Sequence, residues 1–214
     1  MKTIKLAVVL VLIASLFSMC KKDSKNDNTT TPTTEYYVQG TLNHQAWNWP
    51  VPADGSGYLV GTRGALSNDQ GTITGGITAL VSGNNGSFQP QLGIEFKTIS
   101  KPMDSDAATV LSNFITTGSW AFSSSSSDYT VGNKSVVIYY TDNTGKQYSS
   151  IGSQSGTNFM VESKTAVSGS IYNTDPGLKV KVSFSCILYP IDGTGGVLAA
   201  EDVEATVFLD QTLL

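Results

Sequence analysis

Lys179-Val180-Lys181-Val182-Ser183-Phe184-Ser185-Cys186-Ile187-Leu188 is the stretch on which the fold turns. Val180, Val182, Phe184, Cys186 and Leu188 recur at every second position, with lysine or serine between most of them. Successive side chains of a strand point to opposite faces, so this period sets one row toward a core and the other toward solvent. β-Branched and aromatic residues suit that half-buried surface. Cys186 falls in the apolar row, where a free cysteine packs as a small hydrophobe. The competing reading is a reactive thiol, which would need an electropositive, accessible setting.

The same rhythm extends in both directions. Asp175-Pro176-Gly177 precedes the stretch as a turn, with the proline pre-setting φ. Asp192-Gly193-Thr194-Gly195-Gly196 follows it and joins a last strand with Val203, Ala205, Val207 and Leu209 inward. Upstream, strands are expected at 36–42, 46–49, 58–62, 72–81, 88–99, 120–122, 134–141, 158–162 and 166–172. Asn43-His44, Asn84-Asn85-Gly86 and Asp142-Asn143-Thr144-Gly145-Lys146 divide them as hairpin turns, since Asn and Gly accept positive φ cheaply. In the strand over 88–99, Leu92, Ile94 and Phe96 face inward, and Glu95 and Lys97 outward. Short strands with turn signals every 8–12 residues or so predict an all-β chain, an antiparallel β-sandwich or partly closed barrel. One segment departs from this. Residues 104–115 predict a short helix, capped by Asp104 or Ser105, with Asp106 favouring the first-turn dipole. Val110, Leu111, Phe114 and Ile115 form its apolar stripe, which suits a plug at one open end of the β core.

The N-terminus carries an address. Lys2 and Lys5 precede an apolar or small run from Leu6 to Phe17, and Cys20 stands before polar Lys21-Lys22-Asp23. A basic start, a short apolar core and a cleavage point describe a secretory signal, and the run falls short of the ~20 residues of a membrane span. A cysteine at the cleavage point resembles a bacterial lipoprotein signal, in which that thiol is acylated. Acyl chains contribute about 0.8 kcal/mol per buried methylene, and two or more give stable anchoring. The expected organisation is a signal peptide over 1–19, lipidated Cys20 with a flexible tether through 34, and one β domain over 35–214. The tether is rich in Lys, Asp, Ser, Asn and Thr and cannot bury apolar surface. Its typical reach is roughly 20 Å. With Cys20 acylated, Cys186 has no cysteine left to pair with.

Composition narrows the function classes. The chain has 214 residues, 13 basic against 17 acidic, and a net charge of −4. Arg63 is the only arginine, so no basic patch for nucleic acid exists. One histidine and one unlipidated cysteine do not make a sulfur–nitrogen zinc site, and no cofactor motif is present.

From Gly118 to Leu209 the chain runs Gly-Ser-Trp-Ala-Phe, then Val136-Val137-Ile138-Tyr139-Tyr140-Thr141-Asp142-Asn143-Thr144-Gly145-Lys146-Gln147-Tyr148, then Val182 to Tyr189. Together with Val38-Gln39-Gly40-Thr41-Leu42-Asn43-His44-Gln45-Ala46-Trp47 this order is similar to a group of Bacteroidota lipoproteins of unknown function. The resemblance implies a lipidated N-terminus, one extracytoplasmic β-sandwich-like domain, and an outer-membrane location. Lys21-Lys22-Asp23 resembles the tag that sends such lipoproteins to the cell surface. No catalytic residue comes with the resemblance.

Candidate chemistry is sparse. His44 lacks a Gly-x-Ser-x-Gly elbow and reads as a turn residue. Glu95, Glu162, Glu201 and Glu204 are available as paired carboxylates for glycoside hydrolysis, which works at about 5–9.5 Å separation. Asp104 with Asp106, or Asp192 with Glu201 and Asp202, are available to calcium, but no Asp-x-Asp-x-Asp-Gly loop is present and caps and turns explain them better. Trp47, Trp49 and Trp120 are the candidate ligand-binding residues, as flat rings for stacking sugars. Against this, Trp47 and Trp49 share one strand face, which also suits a core. The expected function is a membrane-anchored, non-catalytic binding or structural module that meets glycan or an envelope protein. The alternatives are a carboxylate-dependent glycoside hydrolase and an accessory subunit of an envelope complex.

Overall fold

A computed structural model describes residues 35–52, 57–83, 90–127, 129–130, 132–170 and 174–214. The expected signal peptide, Cys20, the tether, the turn at Asn84-Asn85-Gly86 and the last residues of the strand expected over 166–172 lie outside them. The described chain runs β1 (Tyr36–Leu42), β2 (Gln45–Val51), β3 (Tyr58–Asp69), β4 (Thr72–Gly83) and β5 (Gln91–Pro102). Helix α1 (Ala107–Phe114) follows, then β6 (Gly118–Ser119), β7 (Ala121–Phe122), β8 (Ser135–Thr141) and β9 (Gln147–Ser149). The last strands are β10 (Asn158–Val167), β11 (Gly177–Pro190) and β12 (Leu198–Asp210), ending in a 3₁₀ turn, Gln211–Leu213. The fold is all-β, a nearly closed sheet that is antiparallel except for the short parallel pair β7–β8, with one short helix.

Two walls face each other. The first is ordered β2-β1-β12-β11-β10-β6. The second is ordered β3-β4-β5-β8, with β9 and β7 sharing the far edge of β8. β9 also pairs with the end of β11, at Tyr189↔Ser149 and Pro190↔Tyr148, and so makes the walls continuous. A second seam lies lower on the same side. Gly118–Ser119 pairs with β10, Ala121–Phe122 with β8, and Trp120 between them donates its backbone N–H to Phe159 O at 3.0 Å. On the opposite side β3 approaches β12 without a ladder. There the Thr62 hydroxyl donates to Phe208 O at 2.9 Å and accepts from Asp210 N at 3.0 Å.

The alternation in β11 behaves as its sequence dictates. Val180, Val182, Phe184, Cys186 and Leu188 are buried, and the residues between them are half-buried. Cys186 is free and enclosed, and burial pushes its thiol pKa up. Facing it across the core are Ile77, Ala79 and Val81 of β4, Leu92, Ile94 and Phe96 of β5, and Val136 and Ile138 of β8. A bulge in β5 keeps this in phase: Gly75 pairs with Ile99 but Gly76 with Lys97. Thr98 is the extra residue, at φ +70°, and Ile99 thereby returns to the core.

Helix α1 is shorter than the sequence suggests and is capped one or two residues later. Asp106, rather than Asp104 or Ser105, is the N-cap and accepts from Thr109 N at 2.8 Å. Leu111, Phe114 and Ile115 are buried, and α1 packs against β5, β11 and the terminal 3₁₀ turn. Its C-terminal carbonyls meet cations from other elements. Lys134 Nζ donates to Phe114 O at 3.0 Å, and Lys164 Nζ donates to Ser112 O. Both complement the negative end of the helix dipole.

Two strands differ in length from their sequence reading. β3 continues past Thr62 to Asp69, through Gly64, Ser67 and Asn68, because β4 pairs with it at every position. The turn is displaced to Gln70-Gly71, both at positive φ. The strands expected over 158–162 and 166–172 join as β10, whose bulge at Glu162 lets it pair with β11 throughout.

Candidate functional site

The three tryptophans belong to the core, which corrects their assignment as a ligand shelf. Trp47, Trp49 and Trp120 are 4%, 7% and 6% exposed. Trp47 meets Trp49 edge-on at 5.1 Å between ring centres, and Trp49 stacks on Tyr58 at 4.9 Å. Trp120 packs edge-on against Phe96 and Phe114, and its indole N–H donates to Thr116 O at 2.9 Å. The faces a sugar would need are covered by other rings. Burial won because β2 lies at the rim of the first wall, where only large side chains reach across to β3 and β8.

The remaining sequence candidates are scattered. His44 stands on the β1–β2 turn with 79% of its side chain exposed, its Nδ1 3.5 Å from Glu201. Glu204 accepts from Gln39 and lies 3.5 Å from Lys181 Nζ, and Glu162 accepts from Ser183 Oγ. These three glutamates occupy the outer face of the first wall, whereas Glu95 lies on the second wall. Asp192 holds Thr194 N and its hydroxyl in a turn, as Asp106 holds Thr109. Among the described residues no group of three or more His, Cys, Asp or Glu converges as a metal site would require.

Glu95 and Lys97 do point away from the core, but neither is solvated. They are 3% and 0% exposed, because residues 123–127 and Tyr129 fold over the outer face of β5. Tyr129 Oη donates to Glu95 Oε1 at 2.8 Å, and Tyr139 Oη donates to Oε2 at 3.0 Å. Lys97 Nζ donates to Ser125 O at 2.7 Å and sits 4.4 Å from the centre of the Tyr129 ring. Space for the carboxylate comes from β4: a Cβ added to Gly76 would fall 2.4 Å from Glu95 Oε1. Burial, then the bond to and charge of Glu95, pushes the Tyr129 hydroxyl up to about 12. The Tyr139 hydroxyl rises for the same reasons, burial first. Both phenols are therefore neutral donors at physiological pH.

Beside this cluster lies a cavity of about 300 Å³. Gly93 forms its floor, in the middle of β5, where a side chain would fill the space; a Cβ there would meet Thr78 and Leu80 at 3.3 and 3.5 Å. Tyr139 makes one wall, Gln91 and Gln147 the polar rim, and exposed Arg63 the mouth. No carboxylate lines it. Strand register brings these residues together: Arg63 pairs with Thr78, Leu80 with Gly93, Gly93 with Tyr139, and Gln91 and Gln147 both with Thr141. A second, larger hollow of about 460 Å³ shares Gln147 and Ile191 with the first and continues past Lys146. Ile191 is 53% exposed, an apolar side chain at the junction.

Nothing in the tryptophan count points to this place. The sequence signal is Gly93, a glycine inside an apolar strand, which marks close approach or an open floor. A polar, aromatic-walled hollow with one free guanidinium can hold a small polar ligand, but it presents no second carboxylate or histidine for proton transfer. No protein-family model, no curated protein and no solved structure matches the chain.

Proposed function

We propose that the chain is a lipid-anchored module of a bacterial envelope that binds a glycan without cleaving it, in the cavity on the outer face of the second wall. The observation that carries this is the hollow over Gly93, with a tyrosine wall and a rim of glutamine and threonine. Amides and hydroxyls match the donors and acceptors of a sugar, and the ring offers a flat apolar face. No carboxylate lines this hollow, which argues against a two-carboxylate hydrolase acting there. The leader and Cys20 support the anchor.

Two experiments test the reading. Detergent-solubilised full-length protein is applied to a glycan array, beside a Gly93→Leu variant with its floor filled. Retention of glycan by the native chain and its loss in the variant is the expected result; retention of none refutes it. Radiolabelled palmitate fed to expressing cells should enter the native chain and not Cys20→Ala, and equal labelling removes the anchor.

A further inference from the structure

Arg63 is the only guanidinium of the chain, and it stands where the cavity opens. Among the described residues, several lysines at the surface are already engaged. Lys179 pairs with Glu35 at 2.7 Å, Lys181 with Glu204 at 3.5 Å, and Lys146 donates to Thr194 O at 2.5 Å. Among the described residues no carboxylate lies within salt-bridge reach of Arg63. The nearest acid by register is Glu95, across Thr78, and both of its oxygens are occupied by tyrosine hydroxyls. Arg63 therefore presents an unpaired, planar fork of donors over a hollow lined by neutral groups.

We infer that the ligand of this cavity is an oligosaccharide bearing a carboxylate, a uronic acid unit whose acid group Arg63 grips while neighbouring sugars lie along the groove past Gln147 and Ile191. The inference rests on the glycan reading proposed above and names its chemical class. Three features select a uronate. A guanidinium matches a carboxylate by two parallel N–H···O bonds, a geometry that a lysine does not offer. Arg63 is the one cation lining the hollow over Gly93, and it fits one carboxylate of the ligand. The third feature is extent: two hollows of about 300 and 460 Å³ meet at Gln147 and Ile191, which is room for more than one ring. Gln91 and Gln147 supply amides for ring hydroxyls beside the charged group.

The experiment is titration calorimetry on detergent-solubilised full-length protein with four probes. These are oligogalacturonate, alginate and hyaluronan oligosaccharides, and the carboxyl-reduced, neutral form of whichever binds. Arg63→Gln and Arg63→Lys are measured alongside. Arg63 is exposed and bonds no core group, so both variants should fold, and unchanged thermal unfolding confirms it. The expected result is binding of at least one uronate oligosaccharide, at least tenfold weaker for its reduced form and for Arg63→Gln, with Arg63→Lys between. Affinity should also fall as salt is raised, since the contact is near the surface. Equal binding of acidic and reduced sugars, unaffected by Arg63→Gln, overturns the uronate inference and leaves the glycan reading standing. Binding of acetate as tight as the oligosaccharide, lost in Arg63→Gln, also overturns it, as a bare anion site. Retention of no glycan by the array or the calorimeter overturns both.

Discussion

Replacing Tyr139 with phenylalanine removes one hydroxyl from the buried Glu95 carboxylate and changes little else in shape. That hydroxyl donates to Oε2 at 3.0 Å, while Tyr129 serves Oε1 at 2.8 Å. A hydrogen bond to a charged group contributes about 1.5–3 kcal/mol, and a buried acceptor stripped of its donor forfeits the upper part of that range. Tyr139→Phe should therefore cost about 2 kcal/mol, and Tyr129→Phe, at the wetter edge, about 1.5 kcal/mol. Glu95→Ala orphans both hydroxyls and opens the space over Gly76, for roughly 3–4 kcal/mol. The decisive measurement is the double variant. With Glu95 gone, Tyr139→Phe should cost almost nothing more, a coupling of about 2 kcal/mol. Urea unfolding at pH 7 reads this through the three tryptophans, all buried in the native state. With a slope near 2 kcal/mol/M, a 2 kcal/mol loss moves the midpoint by about 1 M. Additivity of the two changes to within about 0.5 kcal/mol would refute the view that these bonds hold the outer face of β5.

Other outcomes follow from single contacts. Thr62→Val removes both bonds of the side chain that ties β3 to β12 and should cost about 2 kcal/mol, with β3 amides exchanging fastest; unchanged exchange in β3 would contradict that seam. Asp106→Ala should lower stability by about 1 kcal/mol through its lost N-cap, visible as a drop in Tm. Burial first, with nearby acids or hydroxyls adding to it, raises the hydroxyls of Tyr36, Tyr129 and Tyr140 from 10.0 to about 12. A raised pKa means that the folded state holds the proton more tightly, so their contribution is complete below pH 10 and declines from there to about 12. A stability curve flat across that window would count against it. Cys186 should ignore a thiol reagent in the native protein and react fully in urea, and rapid native labelling would place it elsewhere.

The period-two pattern made β11 legible residue by residue, because that strand buries one face and leaves the other partly wet; in β12 it held for the inward row, while residues 205–210 are buried on both faces. The reading failed where burial came from a distance. Glu95 and Lys97 alternate as solvent-facing residues should, and the return of residues 123–127 and Tyr129 over β5 encloses them. The far half of β3 is poor in strand formers, and its pairing with β4 outweighs that local preference. The cavity was hidden for the same reason: Arg63, Gly93, Tyr139 and Gln147 come from four strands and meet only through register. The tryptophans were ambiguous: their ring faces suit sugar and core alike, and only the shared strand face of Trp47 and Trp49 leaned toward the core, where they lie.

The neighbours in the first wall also set a timetable. β1 lies between β2 and β12, with Val38 opposite Ala205. Of the described strands β1 leaves the ribosome first and β12 last. One edge of β1 thus stays open until every other strand has been made, and an open strand edge invites pairing with other chains. Contacts this far apart in sequence also slow folding to milliseconds or seconds. The first wall therefore closes in a late step, and a helper that shields extended segments during folding would act on β1 above all.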